Sequence, residues 1–90
     1  MNRSEMFKYL TEELYKVYEA KNADYGSSVT DTYNRFGDIS FLVRITDKYN
    51  RICTLMEKEA KVKDETIDDT IQDLINYLIL WQIERKFSGK

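Results

Sequence analysis

The sequence predicts an all-α fold, a bundle of about four helices forming one domain over residues 1–90, and three observations carry that expectation. Pro is absent and Gly occurs only at positions 26, 37 and 89, so little punctuates the chain and the elements between are long. Apolar residues recur at spacings of three and four rather than two. Two-residue hairpin signals such as Asn-Gly are missing.

The first helix can start after Ser4 as N-cap and run to about Lys21. Phe7, Leu10, Leu14, Val17 and Tyr18 share one face of it. The segment from Asp24 to Ser28 then breaks the chain. A short helix from about Val29 to Phe36 brings together Val29, Tyr33 and Phe36, and Gly37 follows as a left-handed C-cap. Asp38 is placed to cap the third helix, about Ile39 to Glu59, whose stripe is Leu42, Ile45, Tyr49, Ile52 and Met56. The stretch from Ala60 to Glu65 is charged and without period. Thr66 and Asp69 form an Asp version of the capping box, opening a fourth helix that runs to about Phe87. Its core face is Ile67, Ile71, Leu74, Leu78 and Trp81, while Ile79, Leu80 and Ile83 fall on other sides. A helix apolar nearly all round is buried on more than one side, so the bundle is expected to be completed by oligomerisation with further copies of the chain.

Composition excludes several chemistries. With no His and one Cys, imidazole acid–base catalysis, Ser-His and Cys-His nucleophiles, intrachain disulfides and Cys-cluster zinc sites are impossible. The net charge of −2, with 14 basic against 16 acidic residues, lacks the basic field of a nucleic-acid binder. The acidic N-terminal stretch resembles no signal peptide, and the longest apolar run is too short to span a bilayer. A soluble, cytoplasmic protein without membrane contact is expected.

Two polar stripes and one turn offer chemistry. Arg44, Lys48 and Arg51 stand at i, i+4 and i+7 on the third helix. Cations so spaced repel one another and require an anion nearby, which is either a protein carboxylate or a phosphate held by the Arg fork and the Lys charge. Asp69, Asp73 and Asn76 repeat the spacing on the fourth helix, where two carboxylates one turn apart can bind Mg²⁺ or form salt bridges. Around the first turn, Lys21, Tyr25 and Ser27 supply a cation, an aromatic face and a hydroxyl, parts that suit a nucleotide and equally an ordinary helix-ending turn.

Taken together, Lys21-Asn22-Ala23-Asp24-Tyr25-Gly26, Arg44-x-x-Asp47-Lys48-x-x-Arg51 and Asp64-Glu65-x-x-x-Asp69-Thr70-x-x-Asp73-Leu74-x-x-Tyr77 resemble the short phage and prophage proteins called nucleotide modification associated domain 1. The resemblance covers about Val17 to Leu80. That family is in turn similar to MazG-like all-α nucleoside triphosphate pyrophosphohydrolases. The resemblance implies a MazG-like, homo-oligomeric, nucleotide-binding helical bundle of phage origin, working in the host cytoplasm. MazG-like enzymes hold Mg²⁺ with a Glu-Glu-x-x-Glu motif and a later Glu-x-x-Asp motif, and this chain departs from both: it offers Asp69 and Asp73 four apart, and Asp47 among Arg44, Lys48 and Arg51. Cations in place of glutamates favour holding phosphate directly over metal-assisted turnover.

The expected function is therefore sequestration of a small nucleotide without turnover or cofactor, with cyclic or linear dinucleotide immune signals among the candidates. Lys21, Ser27, Arg44, Lys48 and Arg51 would meet phosphate and Tyr25 would stack on a base. Asp47, Asp69 and Asp73 would hydrogen-bond ribose or base, and Asn76 belongs to the same nucleotide-binding set. The alternative is a Mg²⁺-dependent pyrophosphohydrolase with Asp47, Asp69 and Asp73 as metal ligands.

Overall fold

A computed structural model describes residues 1–25, 27–58 and 66–89, with backbone alone at Asp24 and Tyr25. It contains α1 (Arg3–Tyr25), α2 (Ser28–Phe36), α3 (Ile39–Glu57) and α4 (Ile67–Phe87). No strand occurs among the described residues, so the all-α expectation holds. No helix is long and apolar enough to cross a membrane.

The helix ends follow local chemistry, at some points through other residues than expected. Asn2, rather than Ser4, caps α1: its Oδ1 accepts the Glu5 N–H at 2.8 Å. With no breaker before Gly26, α1 continues one turn past Lys21 to Tyr25. The turn after α2 does need glycine, since Gly37 has φ +72° and ψ −154°. That is a glycine-only conformation outside the left-handed helical region anticipated for a C-cap. At α4 the capping box forms as expected: Thr66 Oγ1 accepts the Asp69 N–H at 3.1 Å, and Asp69 Oδ2 accepts the Thr66 N–H at 3.3 Å. Asp68 and Asp69 in the first turn and Arg85 and Lys86 in the last complement the helix dipole. Helix α3 ends at Glu57, and the stretch from Glu59 to Glu65 lies outside the described residues.

Asp38 makes no side-chain cap for α3. Its carboxylate instead ties three helices together, accepting the Trp81 indole N–H at 2.7 Å, an Arg85 guanidinium N–H at 3.0 Å and the Tyr33 hydroxyl at 3.3 Å. These donors, the indole foremost, hold the Asp38 carboxyl below its ordinary pKa. Above the acceptors sits the aromatic core. Tyr33 and Phe41 are nearly inaccessible, their centroids 5.9 Å apart, and Phe41 stacks on Trp81 at 6.0 Å with rings 10° from parallel.

Helices α3 and α4 run antiparallel, with Phe41 against Trp81, Arg44 against Tyr77 and Lys48 against Asp73. These pairs turn α3 by roughly a quarter turn from the orientation its apolar stripe predicts, at 100° per residue. Ile45 and Ile52 remain partly covered, but Leu42, Tyr49 and Met56 are exposed. Helix α4 is rotated in the matching sense, so its buried residues are Thr70 and Asn76, while Ile71, Ile75, Leu78 and Ile79 are exposed. Leu80 and Ile83 face inward. Helix α1 packs on α4 through its second half alone: Leu14 is buried, whereas Phe7 and Leu10, on the same stripe, are exposed.

Candidate functional site

The rotation of α3 and α4 gives the site its walls. On one side of the pair, the second half of α1 and the start of α2 stand over α4 and enclose a cavity of about 580 Å³. Tyr18, Lys21 and Asn22 come from α1, and Ser28 and Thr30 from α2. Asp73, Asn76, Tyr77, Leu80 and Glu84 come from α4, and Arg44 from α3. Thr30 donates its hydroxyl to Glu84 Oε1 at 2.7 Å, which ties α2 to α4 at one end of the cavity. A second cleft of about 400 Å³ continues along α3, lined by Arg44, Asp47, Lys48, Arg51 and Tyr77. Arg44 and Tyr77 belong to both, so they mark the junction. Each volume lies in the range of small-molecule sites.

The electrostatics of the two clefts turn on one carboxylate and one guanidinium. Asp73 is shared by two cations, with Lys48 Nζ at 3.1 Å from Oδ2 and Lys21 Nζ at 3.6 Å from Oδ1. One negative charge thus serves two positive ones from different helices. The Arg44 guanidinium lies over the Tyr77 ring, 5.7 Å from its centroid, and no carboxylate among the described residues pairs with it. An Arg stacked on an aromatic face keeps its planar fork of N–H donors oriented and available for an oxyanion. Across both clefts, the lining brings Lys21, Arg44, Lys48 and Arg51 together with Asp47, Asp73 and Glu84.

Asn76 supplies the polar floor. Its residue is 9% exposed and it lines the larger cavity. A carboxamide facing a cavity can pair with a ligand that presents a complementary donor and acceptor.

The structure brings most of the residues anticipated from sequence into these two clefts: Lys21, Arg44, Asp73 and Asn76 into the larger, and Arg44, Asp47, Lys48 and Arg51 into the smaller. Ser27 instead donates to Asp31 Oδ2 at 3.1 Å at the start of α2, and its neighbour Ser28 lines the cavity. The side chain of Tyr25 lies outside the described residues. Asp69 is engaged in the capping box, where its Oδ2 also accepts the Thr66 hydroxyl at 2.9 Å. No group of three carboxylate or Cys ligands that could hold a metal forms among the described residues. The three aspartates are engaged differently: Asp69 caps a helix, Asp73 bridges two lysines, and Asp47 lies in the cationic cleft.

Sequence reasoning missed Tyr18, Thr30 and Glu84 as lining residues, and undervalued Tyr77. The signal for Tyr77 was present: it falls one turn after Asp73, on the side of α4 that carries the polar stripe. Nothing local announces the Thr30–Glu84 pair, which joins residues 54 positions apart.

Searches of curated proteins and of solved structures return no match to this chain. Residues 21–84 do match a protein family, a span that begins at Lys21, ends at Glu84 and contains the cleft-lining residues of α2 and α3 and all those of α4 but Phe87. On that match, the chain belongs to the family described as nucleotide modification associated domain 1.

Proposed function

We propose that the protein binds a small nucleotide across the two joined clefts and holds it intact. The observation that carries this reading is Arg44: a partly buried guanidinium stacked on Tyr77, free of any described carboxylate and common to both cavities. A phosphate set there accepts the Arg fork, with Lys48 and Arg51 along the same helix face. Lys21 approaches from α1, drawing on the charge that Asp73 only half neutralises. The sugar and base then extend into the larger cavity, where Tyr18 and Tyr77 offer aromatic faces. Asn76 there offers one acceptor and two donors to a base edge. Of the lining carboxylates, Asp73 is tied to two lysines and Glu84 to the Thr30 hydroxyl. This arrangement suits capture rather than cleavage, and dinucleotides used as signals are within the class it would take. Self-association of the chain belongs to the same reading.

Incubation with a panel of mono-, di- and triphosphate nucleotides and cyclic and linear dinucleotides, with Mg²⁺ and with EDTA, tests the proposal. The protein is then heat-denatured and the released compound is chromatographed. A ligand recovered intact, bound equally well in EDTA, supports capture. Release of pyrophosphate or monophosphate, lost on chelation, overturns it in favour of a pyrophosphohydrolase, and failure of every nucleotide to bind overturns it outright.

A further inference from the structure

The side of the α3–α4 pair opposite the clefts is apolar and open. With the pair in contact through Phe41–Trp81, Arg44–Tyr77 and Lys48–Asp73, the 100° spacing sends the cations of α3 and the polar stripe of α4 to the cleft side. The same spacing sends Leu42, Tyr49 and Met56 of α3 and Ile75, Leu78 and Ile79 of α4 to the other side. These six are 41% to 73% exposed. Leu42, Tyr49 and Met56 repeat at sevens with Ile45 and Ile52 between them, the a/d pattern of helices that pack into a bundle.

We infer that this face is the interface with a second copy of the chain, related by a two-fold axis, so that two α3–α4 pairs make one four-helix core. Area supports it. The chain exposes 7316 Å², whereas a compact monomer of its mass exposes about 5500 Å². That excess of roughly 1800 Å² is shared between this face and other exposed apolar residues such as Phe7 and Leu10 of α1, and it is larger than the approximately 800 Å² per partner that a standard interface needs. The Cα radius of gyration of 14.7 Å likewise exceeds the about 12 Å of a compact 90-residue domain. Charge supports a copy rather than a different partner. On the heading of this face α4 carries Asp68 near its start and Lys86 near its end, both exposed and neither paired with a described residue. Their midpoint is Tyr77, level with Ile75, Leu78 and Ile79. An antiparallel copy centred there brings Asp68 of one chain to Lys86 of the other at both ends of the seam.

The association differs from that expected at the sequence level, which relied on Ile79, Leu80 and Ile83. Only Ile79 lies on the open face, whereas Leu80 and Ile83 line the cleft.

Light scattering and sedimentation of the full chain test the interface independently of any ligand. The wild type is expected at an even multiple of 10.8 kDa. Ile75→Lys with Leu78→Lys, at positions exposed in the single chain, should raise the dissociation constant by about 30-fold or more, the size of a buried hot spot, while helical circular dichroism is retained. Asp68→Lys alone should weaken association, and adding Lys86→Asp should restore it, because the swapped pair re-forms across the two-fold axis. A monomeric wild type at micromolar concentration overturns the inference. So does an assembly that survives the Ile75/Leu78 variant but dissociates with Leu10→Glu, which would place the interface on α1, and so does a charge swap that fails to restore association.

Discussion

The two sides of the α3–α4 pair are built from the same two helices and differ in almost every physical respect. Toward α1 and α2 the pair presents Arg44, Lys48, Asp73, Asn76 and Tyr77, polar groups partly removed from water and joined by ion pairs and ring contacts. On the opposite side it presents Leu42, Tyr49, Ile75 and Leu78 to solvent. A chain maximising its own burial would do the reverse. The difference teaches that the azimuth of these helices is set by a few specific pairs, Phe41 on Trp81 and Lys48 on Asp73 among them, rather than by the broad apolar stripes. Much of those stripes stays exposed in the single chain.

Substitutions at the hub between the sides should have the largest effect. Phe41→Ala removes the one large side chain that is 2% exposed and stacked on Trp81. It should cost about 3–5 kcal/mol of stability, measured by chemical denaturation. Both sides should fail together, because Phe41 fixes the rotation on which each depends; loss of ligand binding with an unchanged denaturation midpoint would contradict this.

Arg44→Ala acts on the cleft side alone. It should weaken nucleotide binding by about 1.5–3 kcal/mol in calorimetric titrations, the worth of a charge-assisted contact, with the melting temperature and oligomeric mass unchanged. Unchanged affinity with reduced thermal stability would make Arg44 a packing residue of Tyr77. Asn76→Leu is the finer probe, since it roughly keeps the volume and removes the amide donors and acceptor without adding a charge. It should shift preference among bases by about 1 kcal/mol and leave binding of inorganic pyrophosphate nearly unaffected.

The smallest expected effect is on the pH dependence of stability. Because its donors hold the folded-state pKa of Asp38 below the unfolded value, the stability it contributes is present above the unfolded pKa of about 3.9 and is lost as pH falls through the folded pKa. Thermal melts from neutral pH down through the acid range should show that decline begin near pH 4, and Asp38→Asn should flatten it. An equal slope in wild type and variant would show that Asp38 titrates alike in both states.

The same contrast explains what the sequence made legible. Helix existence was readable because the breakers are few and the Thr66–Asp69 capping box is a local signal that the structure retains. The residues that line the clefts were also largely readable, since Lys21, Arg44, Lys48, Asp73 and Asn76 follow helical spacing. Helix rotation was not readable: periodicity marks an apolar arc but does not say whether that arc meets its own chain or another, so Leu42 and Tyr49 read as core and Phe41 did not. Asp38 shows the same limit. Its position before α3 suggests a cap, and only the arrival of Trp81 and Arg85, more than 40 residues on, reveals a staple. The role of Asp69 was partly foreseen, because a capping carboxylate and a ligand carboxylate look alike in sequence and differ in what already occupies them.

The most direct test of the account is a calorimetric titration of the nucleotide panel into the full-length protein and into Arg44→Lys, in EDTA, with the ligand recovered afterwards. Arg44→Lys keeps the charge but loses the planar fork and the stacking on Tyr77. The account predicts that at least one nucleotide binds the wild type and returns intact, and that Arg44→Lys binds it at least about tenfold more weakly, roughly 1.4 kcal/mol, with unchanged melting. Equal affinity in both proteins, or a nucleotide that returns cleaved, would contradict it.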